Sequence, residues 1–294
     1  MDIGKRFAVL ILFFEKARQT IACVKSFLPS GVPIYILNNG SSERNSRAVE
    51  RFCAPLKQVT IFTSGVNLGV SGGRNFLIEK TGEELLFFVD NDIVIKTDNW
   101  VDTALAAIAE HPDAEVFIPR IFNVWEKRCM PYFSMEIIDN KMVFRFMEPS
   151  ECAPGMRVNC FPGGASIVRR GLFERLGLYD SGMFVGFEDY EMAIRGIRTQ
   201  PVAAVTLQSV TLHHDHAAGR FVRRDRKAAA VRYAMAAHED SVRRIQVLHG
   251  VEFSNSRAWR KWVLEQQRVM SPGIHLLEKL AAGVKKIKAR MCPR

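Results

Sequence analysis

Two carboxylates separated by one residue, Asp90-Asn91-Asp92, follow directly on an apolar run over residues 85–89. Negative charge concentrated at the end of a buried strand is costly unless a cation neutralises it, which points to a divalent metal; an Asx turn capping the strand is the alternative. A second segment, Asn67-Leu68-Gly69-Val70-Ser71-Gly72-Gly73-Arg74-Asn75, joins backbone freedom to a guanidinium. Glycines let a backbone approach a ligand, and a helix start beside Arg74 favours a phosphate. The spacing matches neither the dinucleotide-binding fingerprint nor the Walker loop. Third, Gly186-Phe187-Glu188-Asp189-Tyr190-Glu191 puts acids where a helix begins, which capping and the helix dipole also explain. Fourth, His213, His214 and His216 end a strand with Asp215 among them, a density of imidazoles that suits metal ligation. Glu15 after the first strand and Asn38-Asn39-Gly40 after the second complete the polar loops.

The elements that must position these loops are legible from periodicity. Apolar runs over 7–14, 33–37, 59–63 and 85–89 read as strands, separated by helical spacing over 17–27, 47–55 and 74–80. Strand and helix alternate through residue 92, so an α/β fold is expected, a mainly parallel mixed sheet with helices on both faces. Ligands bind such sheets at the strand ends, where the polar loops fall. Further helices are expected over 100–110, 170–176 and 186–198, and strands over 116–119 and 202–212. Residues 123–155 read as irregular, with a strand-like piece at 141–147.

The chain has 294 residues, enough for one large core or two modest ones, with 48% hydrophobic and 24% charged residues, the balance of a soluble globular protein. Its net charge of +10 is uneven: from Ala217 onward 18 Lys/Arg face 6 Asp/Glu, whereas the first 216 residues sum to −2. That asymmetry sets the one expected boundary, a body over 1–216 and a basic helical C-terminal extension over 217–294. There Ser271-Pro272 opens a helix whose Leu277, Leu280, Val284, Ile287 and Met291 form one stripe beside Lys279, Lys285, Lys286, Lys288 and Arg290. Such a helix over 271–294 suits an anionic membrane surface or packs on the body with a solvated basic face; Trp259 and Trp262 lean toward the interfacial reading. The run at 7–14 is ended by Glu15-Lys16 with no cleavage site after it, and no run reaches the ~18 apolar residues of a membrane span. The six cysteines lack metal-like spacing and fit a reducing, cytosolic compartment.

Taken in order, the motifs resemble the family 2 glycosyltransferases of GT-A fold, over about residues 7–216. Members read as a strand, an Asp-Asn-Gly-Ser loop, Asn-x-Gly-x-x-x-Gly-x-Arg-Asn, Asp-x-Asp, Gly-Gly-Ala, Glu-Asp and a late histidine. Here stand Asn38-Asn39-Gly40-Ser41, residues 67–75, Asp90-Asn91-Asp92, Gly163-Gly164-Ala165, Glu188-Asp189 and His213. The resemblance implies a metal-dependent, inverting hexosyltransferase that moves a sugar from a nucleoside-diphosphate sugar onto a hydroxyl of a glycan or lipid-linked acceptor. It implies Mn2+ or Mg2+ on Asp92, with Asp90 at the metal or the ribose and His213 completing the metal's ligands or contacting the diphosphate; which of His213, His214 and His216 meets the metal is open. Glu15, Asn38, Asn67, Arg74, Asn91, Gly163 and Gly164 would then surround the nucleotide sugar. Asp189 would be the general base that an acceptor hydroxyl needs, with Glu188 supporting it or binding the acceptor. Asn38 stands where the family usually has Asp against the nucleobase, so uridine is the default with guanosine and thymidine open. By the same analogy the product is a surface polysaccharide or lipid-linked glycan. The protein is then cytoplasmic or peripheral on the cytoplasmic face of the inner membrane.

Other readings carry less. A sugar-nucleotide pyrophosphorylase would place a glycine-rich, arginine-containing loop after strand one, where Phe13-Phe14-Glu15-Lys16 stands. A nucleic-acid-binding protein is suggested by the basic balance, but that charge sits in the extension and the body is slightly acidic, so no nucleic acid is expected. A catalytically silent relative would have no need of Asp90, Asp92 and Asp189 together.

Overall fold

The computed structural model describes residues 6–216, 222–270, 272–273 and 276. Its first elements are β1 (Phe7–Phe13), α1 (Ala17–Phe27), β2 (Ile34–Asn39), α2 (Glu43–Cys53), β3 (Val59–Ser64), α3 (Gly69–Glu79) and β4 (Leu85–Asp90). Then come β5 (Ile93–Ile95), α4 (Trp100–Glu110), β6 (Val116–Asn123), β7 (Arg128–Cys129), β8 (Tyr132–Ile138), β9 (Lys141–Met147), β10 (Arg157–Val158) and β11 (Ala165–Arg169). The last part holds α5 (Gly171–Leu176), α6 (Glu188–Arg198), β12 (Ala204–His214), α7 (Arg226–Arg232), α8 (Met235–His249), β13 (Glu252–Phe253) and α9 (Ser256–Met270).

The central sheet runs β10-β12-β6-β11-β4-β1-β2-β3, with β5 on β12 and β7 on β6. The β4-β1-β2-β3 part is parallel, as the alternating pattern predicts, and β11 inserts antiparallel between β4 and β6. Alternation along β1 explains its unbroken apolar run. Phe7, Val9, Ile11 and Phe13 face one core with α1 and α4, whereas Ala8 and Leu10 face a second with Leu77 of α3 and Met192 of α6. Trp100 anchors the first core, its ring 5.4 Å from Phe7, 5.8 Å from Phe27 and 5.2 Å from Phe87. Parallel register then aligns the exits of neighbouring strands: Phe13 lies opposite Asn38 and Leu12 opposite Asp90.

Two stretches depart from the sequence-based expectation. The glycine-rich segment expected as a loop is helical from Gly69. Glycine is a poor helix former, but a Cβ at Gly73 would collide with Leu12, and Gly69 sits at φ +74 against the backbone of Phe184. Close packing onto β1 therefore overrides propensity. The irregular middle contains a regular hairpin, β8 against β9, which with β13 forms a separate three-stranded sheet. Met135, Phe144 and Phe253 of that sheet pack against α6, joined by Phe187 and Tyr190.

β13 belongs to the segment after residue 216, so contacts cross the boundary expected there. His249 Nε2 lies 2.9 Å from Glu191, Ser241 Oγ donates to the Val185 carbonyl at 3.2 Å, and Arg244 pairs with Asp180. Trp259 is buried against Phe187 and Phe253, which corrects its interfacial reading; Trp262 is half exposed against Tyr233. The basic stripe expected from 277 to 294 lies outside the described residues. Among the described residues no helix is long and apolar enough to cross a membrane.

Candidate active site

β12 brings the histidines to the aspartates. Past a bulge between Leu207 and Thr211, its end pairs antiparallel with β5, so that His214 lies opposite Ile93, one residue beyond Asp92. The Asp215 amide donates to the Asp92 carbonyl at 2.8 Å. Strand alternation then sends His214 and His216 to the Asp92 side and His213 to the other, where its ring packs 5.2 Å from Phe122. Of the three histidines, the structure therefore groups His214 and His216 with Asp92, and sets His213, the ligand favoured from sequence, apart from them. Asp90 also falls outside the group, one residue's turn away on the Arg74 side.

Asp92, His214 and His216 are buried, with one ligand atom from each within 4.8 Å of the others. His214 Nε2 is 3.3 Å from Asp92 Oδ1, and His216 Nδ1 is 3.8 Å from Asp92 Oδ2. Among the described residues, Asp92 Oδ1, His214 Nε2 and His216 Nδ1 have no hydrogen-bond partner. Three buried, unpartnered donor atoms of carboxylate and imidazole type are the chemistry a divalent transition ion takes, so these residues fit one. The far nitrogen of His216 is 2.7 Å from the Tyr233 hydroxyl, which orients the ring. Burial pushes His216 down to about 4, keeping the imidazole neutral and able to ligate. Burial alone would raise Asp92, but the Lys16 ammonium and the two imidazoles hold it well below the usual carboxylate range.

A second cluster forms where α3 meets the start of α6. Arg74 is buried, its Nη1 3.1 Å from Glu188 and 3.0 Å from Asp189, with Asp90 3.9 Å from Nη2. Three acids thus lean on one guanidinium. Asp189 also accepts from the Gly163 amide at 3.0 Å. A Cβ at Gly163 would strike Asp189 and Arg74, and one at Gly164 would strike Asp90, so both glycines are spacers against the acids. Burial, offset by Arg74 and reinforced by Glu188, pushes Asp189 up to about 7. A carboxyl poised there suits proton transfer near neutral pH.

The remaining polar residues expected around the nucleotide spend their hydrogen bonds on the loops themselves. Glu15 accepts from the Ser42 amide at 3.0 Å, from its hydroxyl at 2.8 Å and from Asn45. Asn38 donates to Ser46 at 2.6 Å and accepts from the Ser41 amide at 3.1 Å. Asn67 accepts from Gly69 at 2.9 Å and from Asn39 at 3.1 Å, while Asn91 donates to Thr20 at 2.9 Å. These residues shape the strand exits. Glu15 at φ 55, Lys16 at φ 48 and Phe187 at φ 69 occupy left-handed backbone conformations costly for such side chains, and all three border the site.

Several contributors were missed from sequence. Lys16, read as ending the first strand, donates to Asp92 Oδ2 at 2.8 Å. The segment after 216 supplies the rest: Tyr233 beside His216, Lys227 Nζ 3.5 Å from Glu15, and Asp225 accepting from Gln19 at 3.2 Å. Arg232 is within electrostatic reach of Tyr233, Asp90, Asp92 and Glu188, bridging the two clusters with positive charge. A charge count marks that segment as basic but not which of its residues turn inward.

A family model described as Glycosyl transferase family 2 matches residues 9–177. Among solved structures, the chain is similar to GalNAc-T7, seen with UDP, GalNAc and Mn2+, at TM-score 0.59 and 15% identity, covering 97% of this chain and 58% of that one. It is similar to Staphylococcus aureus TarS at TM-score 0.55 and 14% identity, over 90% of this chain and 71% of that one. The Pyrobaculum calidifontis mannosyltransferase PcManGT, seen with GDP-Man and Mn2+, gives TM-score 0.53 and 13% identity, over 95% and 75%. These likenesses establish a GT-A fold. An uncharacterised Haemophilus influenzae protein is 34% identical over 88 residues, 28% of this chain and 46% of that protein, so the match spans under half of that relative's length. The family model covers over half of the chain and takes in Lys16, Arg74, Asp90, Asp92, Gly163 and Gly164; the chain belongs to glycosyl transferase family 2.

Proposed function

We propose that the protein is a metal-dependent, inverting glycosyltransferase that moves a hexose from a nucleoside-diphosphate sugar, UDP-sugar by preference, onto a hydroxyl of a glycan or lipid-linked acceptor. The observation that carries this reading is the pairing of two acid centres: buried Asp92 beside one unpartnered nitrogen from each of two imidazoles, and half-buried Asp189 pushed up to about 7. Mn2+ or Mg2+ held by Asp92, His214 and His216 would offset the charge gathering on a diphosphate leaving group. The acceptor oxygen attacks the anomeric carbon, the bond to the diphosphate oxygen breaks with its electron pair, and Asp189 takes the hydroxyl proton. A single displacement of this type inverts the anomeric configuration. Arg74 holds Glu188 and Asp189 in place, and Arg232 adds positive charge within electrostatic reach of Asp90, Asp92 and Glu188. GalNAc-T7 and TarS, both seen with UDP, support uridine; PcManGT, seen with GDP-Man, keeps guanosine in view.

Binding of sugar nucleotides by calorimetry, with and without Mn2+ or Mg2+, tests the reading. Asp92→Ala should abolish metal-dependent binding, and Asp189→Ala should spare binding while removing transfer. Metal-independent binding untouched by Asp92→Ala would overturn it.

A further inference from the structure

Lys16 occupies an unusual place for a lysine. Its ammonium donates to Asp92 Oδ2 at 2.8 Å, and the paired side chains are only 9% and 3% exposed. Its backbone carbonyl accepts from the Thr20 amide at 3.0 Å and from the Thr20 hydroxyl at 3.1 Å, so the start of α1 pins its main chain. Around it stand Asp92, Asp225 and Arg232 as the charged groups within reach. The Lys16 ammonium offsets the charge of the one carboxylate in the ligand set, so that pair offers no net charge to attract a bare dication. A divalent ion arriving alone meets an ammonium already bonded to its carboxylate ligand.

Resting on the metal reading of Asp92, His214 and His216, we propose that Lys16 is the resident counter-ion of Asp92 and that a divalent metal displaces it only in company with a diphosphate. The diphosphate oxygens supply both the negative charge the metal needs and a new partner for the released ammonium. Metal and nucleotide binding are then coupled, and by linkage each tightens the other by the same factor. Lys16 acts here through Asp92, as a positioning residue that sets the order of loading.

The test uses the full chain and Mn2+ itself, followed by electron paramagnetic resonance and calorimetry with and without UDP, GDP or inorganic pyrophosphate. For the unaltered protein, Mn2+ alone should bind weakly and should bind at least tenfold more tightly once a diphosphate is present. Lys16→Met should bind Mn2+ alone at least tenfold more tightly than the unaltered protein, and a diphosphate should then add little. Lys16→Arg, which keeps the charge, should stay weak alone. An unchanged or weaker affinity of Lys16→Met for Mn2+ alone, in protein with an intact circular dichroism spectrum, overturns the proposal; Lys16→Gln stands in if the Met variant does not fold. If Asp92→Asn binds Mn2+ with a diphosphate as well as the unaltered protein, the metal reading itself fails, and that outcome is separate from a change confined to the Lys16 variants.

Discussion

The two acid centres are built from similar parts and behave in opposite ways. Asp92, buried, and Asp189, half-buried, both lie at the C-terminal side of the sheet, and each contacts a basic side chain. Asp92 is held well below its ordinary range, whereas Asp189 is pushed up to about 7. Stoichiometry separates them. Asp92 stands as one acid among Lys16, His214 and His216, while Asp189 shares Arg74 with Glu188 and Asp90. Burial penalises charge in both, and the local ratio of cations to anions decides whether the proton stays. One fold thereby holds one carboxyl below its ordinary range and raises another above it.

Substitutions can break this contrast at either end. Asp92→Asn should have the largest effect, a loss of transfer of about 10³–10⁵-fold, because a metal's contribution is several kcal/mol. Steady-state rates over a Mn2+ titration check it. Asp189→Asn should lower kcat by about 10²–10⁴-fold with donor binding retained. The same variant should be more stable at pH 8. The raised Asp189 contributes its stability at acid pH, below the ordinary carboxyl range, and loses it as pH climbs through about 7, so removing the charge removes that loss. Thermal unfolding at pH 5 and pH 8 reads the difference. Tyr233→Phe removes the partner of His216 and should weaken Mn2+ affinity in the nucleotide complex by about 10–100-fold.

Smaller effects sharpen the comparison. In the unaltered enzyme kcat should rise as pH passes through about 7, where Asp189 ionises. Glu188→Gln takes away a like charge and should move that limb toward acid by about one pH unit, measured as a pH–rate profile. His213→Ala should change activity by about twofold at most, because that ring points away from Asp92. A large loss there would reverse the assignment of His214 and His216.

Much of the scaffold was readable from the chain because burial on both sheet faces leaves continuous apolar runs, as over β1 and β4. The acids at 90, 92, 188 and 189 were readable for a similar reason, since each follows a strand or opens a helix whose limits the pattern sets. Which histidine meets Asp92 was not. It depends on where β12 ends relative to β5, a pairing between distant segments that no local period encodes. The glycines of α3 misled because their propensity argues for a loop, while the need to pack against Leu12 appears only once β1 is in place. Lys16 and Tyr233 were hidden in the same way, as contacts over 76 and 17 positions of sequence.

The strand β13, two residues long, pairs with β9 at the edge of the separate three-stranded sheet. Anyone trimming this enzyme for crystallisation or fusing it to a partner has a limit set by that pairing. A shortened form ending at residue 216 would leave the β9 edge uncovered and the ring of His216 without its tether, inviting self-association and a slack ligand. Deletions that stop beyond Phe253 avoid both faults.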